Sequence, residues 1–104
     1  MIDLSEVKAH LRVDFDDEDS LIQGYTVAAL SAFDIWTNRA LLPADAVLPD
    51  PVGNAILMSA GIKQGALLLI GHWYVNRESV TAGAAIELPM ATNALWKPHR
   101  WVNV

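Results

Sequence analysis

The chain has 104 residues, a mass of 11.4 kDa and no cysteine, which excludes a disulfide framework, a cysteine-ligated zinc site and a thiol nucleophile. Hydrophobic residues make up 53% of the sequence and charged residues only 18%, so the composition excludes disorder and predicts one folded domain over residues 1–104. The net charge is −5 and resides in residues 1–19, which hold seven acids and two bases, so no basic stripe for gripping nucleic acid is expected.

The first predicted helix covers about residues 4–11. Asp3, followed three residues later by Glu6, has the spacing of a capping box, in which two side chains satisfy free backbone amides at a helix start. Ile2 precedes this cap and is spaced to pack on Val7 as a hydrophobic staple. The sequence therefore predicts a short, locally specified helix at the N-terminus.

The second predicted helix covers about residues 17–40. Asp16 or Asp17 can supply its N-cap, and Glu18 and Asp19 lie in its first turn, where the positive end of the helix dipole favours carboxylates. Apolar residues then recur at steps of three and four from Leu21 to Ala40, which is typical of one buried stripe. Val27 and Leu30 fall outside this stripe.

The third predicted helix begins at Asp50-Pro51, with proline at the first helical position, and continues to about Asn76. Its apolar residues form two stripes on roughly opposite sides, although few other helices are available to cover both. Gly61 and Gly65 also allow a neighbouring helix to approach closely, within one subunit or between two. We therefore predict that the second stripe is a subunit interface, formed by Met58, Ile62, Gly65, Leu69 and Trp73.

The C-terminal part predicts a minor β-hairpin near residues 79–88 and a short helix over about 92–96 that Pro98 ends. The predicted fold class is thus all-α, a small bundle of three main helices plus a short C-terminal helix. Trp96, Arg100 and Trp101 form a tail that we interpret as docking on a protein partner or anchoring the core. Stacking on nucleic-acid bases is disfavoured because positive charge is scarce elsewhere.

No catalytic, cofactor or metal site is expected, and we predict that the protein is not an enzyme. The sequence has no G-x-S-x-G elbow, no H-E-x-x-H helix and no glycine-rich phosphate loop. Read as a calcium loop from Asp14, the acidic run places Asp19 where glycine must turn and Tyr25 where a bidentate glutamate must bind. No membrane span is expected either, since Lys63 interrupts the most apolar stretch.

Four segments resemble the head-tail connector proteins of tailed phages, also called head-completion or adaptor proteins. The stretch 4–14 with the following acids is similar to the family's opening, and 36–39 to the end of its second helix. The segment 66–78, a leucine-rich helix ending in H-W-Y-V-N-R-E, is the most specific match. The closing segment 88–100 also matches, with His99 where the family usually has an aromatic residue.

The resemblance implies a mostly helical virion protein, encoded by a phage or a prophage and present in the host cytoplasm during assembly. Such proteins form a ring beneath the portal after DNA packaging, matched to the twelvefold portal, and they receive the next neck or tail component at the head-tail junction. DNA passes through without sequence-specific binding. We accordingly predict that a run of carboxylates, which repels phosphates, lines the lumen or rim: Asp14, Asp16, Asp17, Glu18 and Asp19.

A small acidic helical regulator or antitoxin is the alternative interpretation of the same sequence. Such a protein would bury the two stripes of the third helix between two copies of itself. A dimer of fixed size in solution would favour it.

Overall fold

The computed structural model describes residues 1–76 and 88–101. The mainly helical fold class is confirmed, whereas the β-hairpin predicted near 79–88 falls on residues of which all but the last lie outside the described part. In chain order the elements are α1 (Leu4–Leu11), α2 (Asp19–Thr37), β1 (Ala40–Leu42), β2 (Ala55–Leu57), α3 (Ala60–Val75), α4 (Met90–Trp96) and a final 3-10 helix (Lys97–His99).

Helix α1 has the predicted bounds but not the predicted capping box. Asp3 occupies the N-cap position with an extended backbone, yet its side chain makes no capping hydrogen bond. The two residues of the predicted hydrophobic staple, Ile2 and Val7, are both buried in the core. The helix ends at Arg12, whose left-handed backbone (φ 59°) turns the chain toward α2.

Helix α2 is slightly shorter than predicted and is the longest element of the described chain. It begins after Glu18, which makes no capping hydrogen bond through its side chain, so the predicted caps at Asp16 or Asp17 are wrong. It ends at Asn38, which has a left-handed backbone (φ 57°) that asparagine tolerates better than most residues. Its core side lies against α1 and α3.

Helix α3 begins at Ala60, nine residues after the predicted start at Pro51. The chain before it forms β2, which pairs in parallel with β1 in a register that runs from Ala40 opposite Ala55 to Leu42 opposite Leu57. Ser59 then caps α3, its hydroxyl accepting a hydrogen bond from the Ile62 amide (3.4 Å). The signal for a helix start at Asp50-Pro51 is overridden, because the strand that follows α2 pairs with residues 55–57 and holds them in β2.

Trp96 of α4 is the central residue of the core. Its side chain is completely buried, and its indole Nε1 donates a hydrogen bond to the Ile62 carbonyl of α3 (3.1 Å). Its ring meets Phe33 of α2 edge to face, with centroids 5.2 Å apart. One turn earlier, the Thr92 hydroxyl donates to the Gly65 carbonyl (2.9 Å). Trp96 therefore joins three helices.

Gly65 makes room for this indole. A Cβ atom at Gly65 would lie 2.4 Å from the Trp96 Nε1 atom and 2.7 Å from Cδ1, so any larger residue displaces the buried ring. We expect Gly65→Ala to lower the free energy of unfolding by about 1–3 kcal/mol, measured by urea denaturation followed by circular dichroism.

The matched control for this prediction is Gly24→Ala in α2. A Cβ atom at Gly24 would meet nothing within 4 Å, so alanine there is expected to raise stability by up to about 1 kcal/mol through helix propensity. Equal effects of the two alanines would contradict the packing described for Trp96.

Candidate interaction surfaces

The α3 stripe predicted as a subunit interface lies inside the subunit. The indole of Trp96 covers Gly65, and the ring of Tyr25 packs against Trp73 with centroids 6.2 Å apart. The prediction is corrected for a physical reason: α4 and α2 of the same chain fill the space that a second subunit was expected to fill. All five predicted interface residues are buried: Met58, Ile62, Gly65, Leu69 and Trp73.

The C-terminal tail folds back onto the end of α2. Arg39 Nε donates a hydrogen bond to the His99 carbonyl (2.9 Å), and its guanidinium lies 4.8 Å from the centre of the Trp101 ring. The Arg100 guanidinium lies 5.1 Å from the centre of the Trp36 ring. We call these five residues the C-terminal clasp. The Trp101 amide also donates to the carbonyl of the last α2 residue (2.7 Å).

The clasp separates the three residues of the predicted docking tail. Trp96 is a core anchor and is not available to a partner, so that part of the docking prediction is wrong. Arg100 is exposed and Trp101 is half-buried, which leaves both at the surface. Within this tail, Trp96 therefore anchors the core, whereas Arg100 and Trp101 remain accessible for docking.

The acidic run before α2 is only partly free in solvent. Lys8 Nζ of α1 lies 2.8 Å from an Oδ1 atom of both Asp16 and Asp19. These contacts raise the pKa of Lys8 above its ordinary value, and the hydrogen bond from Lys8 lowers the pKa of Asp16. The Tyr74 hydroxyl donates to Glu18 (2.7 Å). These three acids thus tie α1 and α3 to the start of α2.

The other two acids of that run differ from their neighbours. Asp14 and Asp17 are exposed, and neither forms an ion pair within residues 1–76 and 88–101. They are the acids of this segment that the structure leaves available to a partner. Their position at a lumen or rim stays a prediction from the sequence.

The side of α2 that faces away from the core is an apolar surface that the sequence reasoning missed. Val27 is 66% exposed and Ile35 is 75% exposed, and no charged residue occurs between positions 20 and 33. The signal was present in the position of Val27 outside the buried stripe. We define the outward face of α2 as the exposed residues Ser20, Gly24, Val27, Ser31 and Ile35.

A shallow groove adjoins this outward face where the N-terminal residues cross α2. Its volume is about 330 Å³, and Val27 belongs to both the groove and the outward face. None of the side chains that line the groove is charged, and through Leu4 the groove extends from α2 onto the start of α1. The residues that line it are Met1, Ile2, Leu4, Gln23, Thr26, Val27 and Leu30.

Asp34 connects the end of α2 to the strand pair. One carboxylate oxygen accepts a hydrogen bond from the Leu41 amide (3.2 Å), which fixes the start of β1. Partial burial raises the pKa of Asp34 above its ordinary value of 3.8, against the smaller opposing effect of that hydrogen bond. A carboxylate near a helix C-terminus is also unfavourable toward the helix dipole.

Metal clusters and membrane-spanning helices are both absent from the described part of the chain. In residues 1–76 and 88–101, no three histidine, aspartate or glutamate side chains come close enough together to hold a metal ion. No helix among them is long and apolar enough to cross a membrane.

The comparisons with known proteins assign the family. A model of the phage gp6-like head-tail connector proteins matches residues 1–97. The chain belongs to this connector family. Among solved structures, gp6 of bacteriophage HK97 has the same fold, with a TM-score of 0.66, 22% sequence identity and coverage of 95% of this chain and 92% of that chain. No curated protein sequence matches the chain significantly.

The family assignment decides between the two functions predicted from the sequence. It supports the head-tail connector over the small acidic regulator, and the connector thus has a structural role at the junction of the phage head and tail. Interaction with head and tail components follows from that role. The surfaces described above are where such contacts are available.

The raised pKa of Asp34 predicts how the stability of the chain depends on pH. The pKa of Asp34 is higher in the folded chain than in the unfolded chain. Ionisation of this carboxyl group therefore lowers the free energy of unfolding as the pH rises. We expect Asp34→Asn, whose amide oxygen can still accept from Leu41, to be more stable than the natural chain at pH 7. The gain should stay below about 1 kcal/mol because the side chain is largely solvated.

Thermal unfolding across a pH series checks this expectation. The difference between the two chains should vanish well below pH 3.8, where both the folded and the unfolded chain carry a neutral side chain. Asp45→Asn, in the exposed loop after β1, makes the same charge change and should show little difference. A gain of equal size at Asp45 would assign the effect to net charge alone.

Proposed function

We propose that the connector assembles as a ring beneath the portal once DNA has been packaged, after synthesis in the host cytoplasm. In this proposal the ring matches the twelvefold portal and presents a surface to the next neck or tail protein. DNA passes through its centre without sequence-specific binding. The family supports contacts with head and tail components, and the ring is our extension of it.

The outward face of α2 is the observation that carries the proposal. The subunit closes its own core, yet it leaves Val27 and Ile35 largely exposed on a helix that carries no charge from Ser20 to Phe33, before Asp34. Depletion of charge is what distinguishes the centre of a protein interface from ordinary surface. We assign this face to contact with the adjoining protein of the neck, either the portal or the tail component.

The charge of the chain supports passage of DNA. With a net charge of −5, the subunit does not provide the many cations through which proteins hold duplex DNA. Carboxylates facing a channel repel phosphates and keep the DNA from binding its wall. This supports a passive conduit in preference to a DNA-binding protein.

The mass of the assembly tests the ring directly. Light scattering behind a sizing column, over a concentration series with and without portal rings, should give a multimer of defined mass. Electron micrographs of that species should show a central hole. A compact dimer both alone and with portal would contradict the proposed ring.

The outward face can be tested by one substitution. Val27→Asp places a charge on this uncharged surface, and we expect it to weaken binding to portal or tail protein at least tenfold, since a buried unpaired charge costs more than about 1.4 kcal/mol. Circular dichroism should show the same helix content as the natural chain.

Val47→Asp is the matched control. Val47 is 91% exposed in the loop between the strands, so the same chemical change there should leave binding and folding unaffected. Normal binding by the Val27→Asp chain would remove the outward face from the proposed function. Equal loss in both variants would indicate an effect of net charge.

A further inference from the structure

We propose that the basic end of one subunit binds the acidic segment of the next subunit in the ring. The basic end consists of the C-terminal clasp and the neighbouring Lys97, and the acidic segment is residues 14–19. This inference rests on the ring assembly proposed above and names the surfaces that neighbouring subunits use. The occupant of the basic end is thus a second copy of this chain.

The cations at the basic end have no carboxylate partner among the residues that the structure describes. Among residues 1–76 and 88–101, Lys8 and Lys63 form ion pairs, whereas Arg39, Lys97, Arg100 and the separate Arg12 after α1 do not. Lys97 and Arg100 are exposed. Three of the four unpaired cations of the described chain therefore cluster at one end of α2, although the chain is acidic as a whole.

Two of these cations are held in fixed orientations by aromatic rings. Arg39 lies over Trp101, and Arg100 lies over Trp36. A guanidinium that rests on a ring loses less conformational freedom when it binds, and its in-plane N–H groups match the two oxygens of a carboxylate. The clasp is thus preorganised for acidic side chains of a protein.

The acidic segment lies at the other end of the same helix. It directly precedes α2, whereas the clasp holds the last turn of α2. The 19 residues of α2 separate the two by roughly 28 Å at 1.5 Å per residue. Asp14 and Asp17 are the acids there that have no ion pair in the described chain. Each subunit therefore carries complementary charges at opposite ends.

Complementary surfaces at opposite ends produce a repeating contact. When one patch binds a different patch on an identical subunit, the contact is heterologous, and a rotation that closes generates a ring instead of a dimer. Duplex DNA is a weaker candidate for the basic end, because three cations on an acidic chain give little counterion release. A second copy supplies the matching carboxylates by itself.

Charge reversal at each end tests this contact. The first variant carries Asp14→Lys and Asp17→Lys, and the second carries Lys97→Glu and Arg100→Glu. Each is measured by light scattering alone and on portal rings, with Asp45→Lys and Lys63→Glu as controls for net charge. We expect at least tenfold weaker assembly for either variant, normal assembly for the controls, and weaker assembly of the natural chain as salt is raised.

Mixing the two variants gives the decisive result. In an alternating ring every contact again joins an acidic and a basic surface, so an equimolar mixture should assemble although neither variant does alone. Assembly of each variant by itself at the natural level would overturn the inference and leave the ring intact. The inference would also be overturned if the second variant lost binding to duplex DNA while its assembly stayed unchanged, because the basic end would then bind DNA.

The remaining outcomes also separate the two proposals. If the natural chain fails to assemble both alone and on portal rings, the proposed ring is wrong, and the contact between subunits is wrong with it. If both reversals lose assembly but their mixture does not recover it, the two ends do not bind each other. Circular dichroism of each variant shows whether a loss comes from unfolding.

Discussion

The contact of Trp96 with α3 is the constraint on which the rest of the structure depends. One short helix supplies a fully buried indole that donates to a carbonyl of α3, and the space for it exists only because residue 65 is glycine. The same ring packs on Phe33 and so fixes α2 against α3. Without this contact α3 would keep an uncovered apolar side, and the subunit would need a second copy to close its core.

Because the core closes within one chain, contacts with other proteins depend on what remains outside it. The outward face of α2 supplies the exposed apolar side chains Val27 and Ile35, and the two ends of the same helix supply opposite charges. These features suit different contacts. Apolar surface gives binding free energy through burial, whereas charged ends give orientation and selectivity between neighbours. A single helix therefore organises both of the proposed interactions of the connector.

Sequence reasoning located the helices from local patterns, although it misjudged their caps, and it failed where the determinants are distant along the chain. The bounds of α1 follow from neighbouring residues, and the family follows from continuous segments such as 66–78. The start of α3 could not be predicted, since β2 exists only because the chain leaving α2 pairs with it. The stripe of α3 that α4 and α2 cover was taken for a subunit interface, because periodicity cannot tell whether a stripe is covered by the same chain or by another subunit.

The candidate surfaces show the same division. The positions of the seven basic residues in the sequence do not reveal that Arg39 and Arg100 meet two tryptophans, because that geometry requires the C-terminal tail to return to α2. The acidic run was predicted to line a lumen or rim, yet Lys8 lies beside two of its carboxylates. In contrast, Val27 was visible as an apolar residue off the buried stripe, so the outward face of α2 was accessible to sequence analysis.

Amide hydrogen exchange of the subunit, measured at increasing protein concentration, tests most directly whether α3 is closed within one chain. The structure predicts that the α3 amides exchange slowest even in dilute solution, and that their rates do not change as subunits associate, because α4 of the same chain already covers them. Protection of α3 that appears only with association would contradict the account and return its second stripe to the subunit interface.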